Sequence, residues 1–220
     1  MKLRELLIST AIMSLTFAST KAITTPNPSS LIEDDRVLGS AYYDTLSILS
    51  TPNECSDFFG GPSASVEIFN SLVGKVRKDY FSPSIGIRMT GAAINVFNAE
   101  TKLRYRLFNK VSINGNGPFY RKKYSLASPS VPGVGSFYAN TKEARVLMFL
   151  HELGHIVKGQ SGDWLLPDDG QDEELSRQNT KQIEDVCGDQ IRHLGKGDNP
   201  MNFAKGKFTA EKRAAVNTKP

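Results

Sequence analysis

Clusters of like charge are missing from this sequence of 220 residues, because no run of five or six basic or acidic residues occurs in it. The formal net charge is only +4, and lysines and arginines are scattered in groups no larger than Arg121-Lys122-Lys123. Proteins that bind nucleic acids usually concentrate basic residues on one face or in one segment. The composition therefore argues against a nucleic-acid partner.

Long apolar runs are missing too, apart from a short one near the N-terminus. Lys2 and Arg4 precede an apolar stretch at 6–18, and Thr20-Lys21-Ala22 then offers a cleavage site with small residues. This order is typical of a secretory signal peptide, and the apolar stretch is too short to cross a bilayer. We predict a signal peptide at 1–22, export (secreted or periplasmic), and no stable membrane insertion after signal removal. A buried or anchoring N-terminal helix is the alternative.

Cysteine is scarce, since Cys55 and Cys187 are the only two. In an exported chain, two cysteines favour one disulfide. The bridge would close a long loop, for which the chain-entropy account gives a stabilisation of about 4–5 kcal/mol. The alternative is that Cys187 binds a metal ion.

Composition divides the rest of the chain into three segments. Residues 23–40 are rich in Thr, Pro, Asn, Ser and acidic residues, which predicts a flexible leader. Residues 41–194 have enough apolar content for one packed domain. Residues 195–220 are rich in Gly, Lys and Asn, and they predict a flexible basic tail.

Hydrophobic spacing within 41–194 indicates both helices and strands. It predicts a helix over Glu67–Arg77 and a second, long helix from about Asp172 to Leu194. Short β-prone runs separated by turn residues lie between them, at 85–90, 93–97, 103–108 and 110–113. These runs predict a small, mostly antiparallel sheet, and therefore an α+β domain.

Histidine is rare, yet two of the three histidines lie in one pentapeptide, His151-Glu152-Leu153-Gly154-His155. Apolar residues surround this motif, and a helix is predicted from near Thr141 to Lys158. Residues i and i+4 share one helix face, so both imidazoles can bind one cation while Glu152 acts as a general base. The alternative is a buried helix whose histidines bond to the backbone, which would leave Glu152 buried without a partner.

This H-E-x-x-H motif in an apolar helix resembles the active-site helix of the zincin metallopeptidases. The metzincin branch would continue with a glycine and a third histidine, where this chain has Lys158 and Ser161. The resemblance therefore points to carboxylate-liganded zincins, gluzincin- or aspzincin-like. It implies a zinc cofactor bound by His151 and His155, a catalytic Glu152, a peptide or protein substrate, and a sheet packed on the motif helix and a second long helix.

The third zinc ligand has to come from an acidic residue after the motif, since catalytic zinc usually has three protein ligands. The long helix has a predicted inward stripe at Ser176, Thr180, Ile183, Cys187 and Ile191. Extended backward, this stripe reaches Glu173 and Asp169. The turn at 167–170 can also point Asp169 back toward the histidines. Spacing in one zincin branch favours Glu174 instead. We rank Asp169 first and keep Glu173, Glu174 and Glu184 as alternatives.

Some polar residues near these ligands are candidates for supporting roles. Ser176, Asn179 and Thr180 lie near the inward stripe and can orient a metal ligand through hydrogen bonds, with helix-surface bonds as an equal alternative. Tyr138 lies just before the motif helix. We expect a buried aromatic there, and stabilisation of an oxyanion is its alternative role.

Taken together, these features predict an exported zinc-dependent peptidase that hydrolyses peptide bonds with a zinc-activated water. One alternative is a zincin-like protein that binds zinc or a partner without hydrolysis, because no oxyanion-stabilising group is evident. A second is a surface-binding domain with a coincidental motif. Exchange of Glu152 for glutamine separates the first two, since a peptidase would lose activity and keep its zinc.

Overall fold

Residue 32 and residues 34–123 and 130–194 are described by the structure, which is a computed structural model. This part of the chain has an α+β architecture. Its helices are α1 (Arg36–Leu49), α2 (Glu54–Phe58), α3 (Pro62–Val73), α4 (Lys142–Ile156) and α5 (Glu173–Arg192), and its strands are β1 (Val76–Asp79), β2 (Ile87–Phe97) and β3 (Arg104–Asn114).

Of the segments predicted to flank the domain, only 23–40 overlaps the residues that the structure describes. The signal peptide at 1–22 and the tail at 195–220 lie outside the described residues. Helix α1 begins at Arg36, within the segment 23–40 for which the sequence predicts a flexible leader, and Leu38 is fully buried. Asp35 caps this helix by accepting hydrogen bonds from the amides of Val37 and Leu38.

The sheet has three strands in the order β1-β3-β2. Strand β2 runs antiparallel to β3, from the pair Ile87–Ile113 to the pair Phe97–Arg104. Strand β1 runs parallel to β3, with Val76 opposite Val111. The prediction of a mostly antiparallel sheet is therefore correct only for the β2–β3 pair, and the sheet as a whole is mixed.

The four predicted β-prone runs fuse into two long strands, with the register of β2 shifting between Thr90 and Ala93. Gly91 lies in this shift at φ 86°, a backbone conformation that glycine adopts without strain. The predicted helix over Glu67–Arg77 is wrong at its C-terminal end. Helix α3 stops at Val73 with Gly74 as its cap, and Val76 begins a strand that continues the same apolar spacing by coincidence.

Helix α4 lies in the middle of the core, as the all-round apolar pattern predicts. Thr141 is its N-cap and accepts a hydrogen bond from the amide of Ala144. Phe149 is fully buried and packs edge-on against Phe69 and Phe119, with ring centroids 5.4 Å apart in both pairs. Burial of a side chain of this size contributes about 1.5–3 kcal/mol, so α4 is anchored by apolar contacts.

The C-terminal end of α4 comes two residues earlier than predicted. Val157 is extended, with φ −101° and ψ 138°, and pairs with Tyr105 of β3. The next amide, that of Lys158, donates to the carbonyl of Arg104 over 2.9 Å. The segment after the motif is therefore attached to the sheet rather than continuing as helix.

Helix α5 packs against α4 with one side only. Asp172 caps it, and Ile183, Cys187 and Ile191 are buried as the predicted inward stripe requires, whereas Ser176 and Thr180 are half-buried. Cys187 forms the predicted disulfide with Cys55 of α2. Among the helices described here, none is both long and apolar enough to span a membrane.

Candidate metal centre

Three potential metal ligands meet where the loop between α4 and α5 passes the C-terminal part of α4. His151 Nε2 lies 3.0 Å from His155 Nε2 and 3.2 Å from Asp169 Oδ2. His155 Nε2 lies 3.4 Å from the same carboxylate oxygen. The structure thus brings together the two histidines of the motif and the acid that we ranked first as third ligand.

The spacing of these three atoms fits one metal ion. Ligand atoms bound at about 2.0–2.1 Å in tetrahedral geometry lie about 3.3–3.4 Å apart. The observed separations of 3.0, 3.2 and 3.4 Å are close to that value. The group can therefore hold a metal ion, and three ligands leave one position of a tetrahedral ion open.

The other acids considered as third ligands lie elsewhere. Glu173 and Glu174 are exposed, and Glu174 pairs with Arg177 on the solvent side of α5. The carboxylate of Glu184 accepts hydrogen bonds from Ser136 and Arg192. None of these three glutamates takes part in the cluster around the histidines.

Gly154, inside the motif, allows the ligand-bearing loop to approach α4. The amide of Leu166 donates to the carbonyl of Gly154 over 3.1 Å. A Cβ atom on Gly154 would lie 2.6 Å from Cδ1 of Leu166, which is closer than side chains tolerate. The missing side chain of Gly154 therefore permits the close approach that brings the loop within reach of the histidines.

The electrostatics of the cluster favour a cation. Burial opposes ionisation of Asp169, but hydrogen bonds with His151 and His155 outweigh it and hold the Asp169 pKa well below its ordinary range. Burial likewise opposes a charge on His155, yet Asp169 and Glu152 raise its pKa above the ordinary value. The same negative and lone-pair atoms that hold a proton here can hold a metal ion. The ion competes with the proton, because imidazole and carboxylate ligands bind a metal in their deprotonated forms.

Glu152 lies beside the cluster and is partly exposed. Burial raises the pKa of its carboxyl, the two histidines lower it and Asp169 raises it. The charge of Glu152 therefore interacts with all three candidate ligands. Its position beside His151, within electrostatic reach of both histidines and Asp169, is what a proton-transferring group at this site needs.

Helix α5 supports the cluster through two of the three predicted residues. Thr180 Oγ1 lies 3.0 Å from His151 Nδ1, the ring nitrogen that faces away from the other ligands. Asn179 is buried, and its side-chain amide donates to the carbonyl of Pro167 over 3.0 Å and to Asp169 Oδ2 over 3.4 Å. Ser176 makes no such contact among the described residues. His155 Nδ1 is buried and has no hydrogen-bond partner among the residues that the structure describes.

Arg106 on β3 is a supporting residue that sequence reasoning missed. Its Nε donates to the carbonyl of His155 over 3.0 Å, and its two terminal nitrogens bind both carboxylate oxygens of Asp168. Its guanidinium carbon also lies 4.3 Å from the centre of the Trp164 ring. Arg106 therefore joins the end of α4 to the residue preceding Asp169. Nothing in the local sequence signals this role, because Asp168 lies 62 residues further along the chain.

Tyr138 differs from the expectation of a buried aromatic, because 85% of it is exposed. Its side chain makes no hydrogen bond to any described residue. A role in stabilising an oxyanion stays a prediction.

Comparison of the chain with protein-family models, with curated proteins and with solved structures finds no match. The function of the chain therefore has to be inferred from the geometry of the His151–His155–Asp169 cluster.

Proposed function

We propose that the chain is an exported zinc-dependent peptidase with a zincin-like fold. The observation that carries this proposal is the triangle formed by His151 Nε2, His155 Nε2 and Asp169 Oδ2, with sides of 3.0, 3.2 and 3.4 Å. Glu152 stands beside that triangle, and its charge interacts with all three candidate ligands. Two imidazoles, one carboxylate and an adjacent acid form the minimum set for metal-assisted hydrolysis.

Zinc is the metal that this donor set favours. Imidazole nitrogens and one carboxylate oxygen in a compact, nearly tetrahedral arrangement suit zinc, whereas calcium and magnesium prefer six or more oxygen ligands. In a catalytic zinc site three protein ligands leave room for water or substrate. Thr180 adds the outer contact that usually holds a ligand histidine in one tautomer, since His151 Nδ1 can donate to its hydroxyl oxygen.

The residues of the site have separate roles in the proposed hydrolysis. Zinc held by His151, His155 and Asp169 would supply a Lewis acid for the peptide carbonyl and for the attacking water. Glu152 takes the proton from the attacking water and afterwards gives it to the departing amine. Asp169 and the two histidines hold the ion, and Arg106 with Asn179 keeps the Asp169 loop in position.

Fold and location fit the same proposal. A buried motif helix packed between a small sheet and a second long helix is similar in plan to the zincins, which the sequence motif suggests. The disulfide between Cys55 and Cys187 suits an oxidising compartment, and a signal peptide at 1–22 would direct the chain there.

The first experiment measures the zinc content of the purified mature protein. We expect about one zinc per chain in the wild type and none in His155→Ala, because two remaining ligands hold zinc poorly. His193→Ala is the matched control, since His193 is exposed at the end of α5. Absence of zinc from the wild type after incubation with zinc would overturn the metal site.

The second experiment screens a peptide library for hydrolysis. Wild-type protein with bound zinc should cleave peptides, and Glu152→Gln should lower the rate by a factor of about 100–10,000 while zinc is kept. Glu143→Gln, in the first turn of the same helix, is the control and should stay active. Retention of zinc without cleavage of any peptide would instead identify a zincin-like binding protein.

A further inference from the structure

A recess of about 380 Å³ lies where β2 ends, β3 begins and the segment after α4 joins the sheet. Phe97 of β2 is the cross-strand partner of Arg104, and Lys158 is the cross-strand partner of Trp164. The amide of Lys158 donates to the carbonyl of Arg104, which connects these two pairs. Four adjacent segments thus place two cations and two aromatic rings around one opening.

The two cations of this recess, Arg104 and Lys158, have no acidic partner within the described part of the chain. Neither Arg104 nor Lys158 forms an ion pair or a side-chain hydrogen bond with any of the described residues. Arg106, two residues along the same strand, is by contrast paired with Asp168. The carbon of the Arg104 guanidinium lies 5.8 Å from the centre of the Phe97 ring, and Lys158 Nζ lies 4.8 Å from the centre of the Trp164 ring. Cations that rest on ring faces in this way keep their N–H groups free for an anion.

The recess also lies close to the metal ligands. Lys158 follows His155 by three residues, so their Cα atoms are at most about 11 Å apart. Three or four residues of an extended peptide cover that distance. Phe97 belongs to β2, which has a neighbouring strand on only one side within the described part of the sheet. The distance between the two places is therefore within the length of a short extended peptide.

We propose that this recess binds the carboxylate side chain of an Asp or Glu residue in a peptide, a few residues away from the bond at the metal centre. Arg104 and Lys158 supply the charge that recognises the carboxylate, and the rings of Phe97 and Trp164 hold these two cations in place. The recess is larger than one acidic side chain, so neighbouring peptide atoms also fit. Selectivity for acidic substrates rests on the proposed function, whereas binding of an acidic peptide does not.

Trp164 provides a direct measurement, because it is the only tryptophan of the chain and lines the recess. Zinc-loaded Glu152→Gln protein, which should not cleave peptides, is titrated with two capped decapeptides without tryptophan or tyrosine. The peptides differ only in Glu or Gln at one central position. We expect Trp164 fluorescence to report a Kd about 10-fold lower for the Glu peptide, since charge-assisted hydrogen bonds exceed neutral ones by this order.

Variants of Arg104 and Lys158 test whether the preference for the Glu peptide arises at the recess. Arg104→Gln combined with Lys158→Gln should reduce the difference between the peptides to less than about twofold. Lys110→Gln, an exposed lysine of β3 outside the recess, should keep the difference. Equal affinity for the two peptides, or a preference that survives the double exchange, overturns the proposal. Displacement of the Glu peptide by a short oligothymidylate at lower concentration also overturns it, in favour of nucleic acid.

The outcome is separable from that of the peptidase proposal. Binding of the Glu peptide by a wild-type protein that cleaves nothing would support the recess and remove the peptidase. Cleavage of both peptides at the same rate, with equal affinities, would keep the peptidase and remove the recess.

Discussion

Helix α4 is surrounded by the core, whereas helix α5 touches the rest of the protein along one side. Leu147, Leu150 and Leu153 on α4 are completely buried. On α5, Lys181 and Asp185 form an exposed ion pair while Ile183 faces inward. The two helices that meet at the candidate metal centre are thus held over surfaces of different extent.

The difference separates the candidate ligands into two groups. His151 and His155 are fixed by the packing of α4, which involves a large apolar surface. Asp169 is placed by polar contacts, from Asn179 of α5 and, through Asp168, from Arg106 of β3. The histidines are therefore a rigid half of the site, and the carboxylate is an adjustable half whose position depends on α5, on β3 and on the disulfide that fastens α5.

The largest effect should come from removing the covalent attachment of α5. Exchange of both Cys55 and Cys187 for serine should lower the free energy of unfolding by about 4–5 kcal/mol, because the bridge spans a sequence separation of 132 residues. Denaturant unfolding of the metal-free protein measures the loss. Reduction of the wild-type disulfide should reproduce it, and a loss below about 1 kcal/mol would show that packing alone secures α5.

Loss of the adjustable ligand should weaken metal binding strongly without unfolding the protein. Asp169→Asn keeps the shape of the side chain, and we expect zinc affinity to fall by more than about 100-fold, beyond the effect of outer contacts. Competition with a chromophoric chelator gives the affinity. Asp163→Asn, an exposed acid of the same loop, is the control. Unchanged affinity in Asp169→Asn would place the third ligand elsewhere.

Exchange of Thr180 tests whether α5 also supports the rigid half. Thr180→Val removes the hydroxyl that lies 3.0 Å from His151 Nδ1 and should lower zinc affinity by about 10–100-fold. Thr180→Ser keeps a hydroxyl at that position and should stay close to the wild type. Similar affinities for the valine and serine variants would mean that packing of α4 orients His151 unaided.

The smallest effect is expected at Arg106, which acts through Asp168. Arg106→Lys keeps the charge and most of the stem but loses the two-point contact, so zinc affinity should fall by about 10-fold or less. Asp168→Asn weakens the same contact from its exposed end and should give a change in the same direction. A fall in thermal stability of the metal-free protein without any fall in affinity would assign Arg106 to the fold alone.

The same division explains how much of the site could be predicted. His151, Glu152 and His155 could be predicted because helix geometry places residues four apart on one face. Asp169 could be predicted because the phase of α5 continues back into the turn that precedes it. Arg106 could not be predicted, since its contacts join β3 to a loop far along the chain and produce no periodic pattern in the sequence.

The fold shows a similar limit. Apolar spacing predicted α4, α5 and the β-prone regions, and the cysteine count predicted the disulfide. The spacing failed at Val76, where helical and strand patterns coincide, so the first two residues of the parallel strand β1 were assigned to a helix. Parallel pairing with a distant strand is a tertiary property, and propensity in a short segment does not contain it.

The positions of the two cysteines also determine when, during synthesis, the disulfide can form. Cys55 leaves the ribosome 132 residues ahead of Cys187, so its thiol has no partner in the chain while everything between them is made. His151, His155 and Asp169 all belong to that interval. The complete set of candidate ligands therefore emerges before the cysteine that closes the loop.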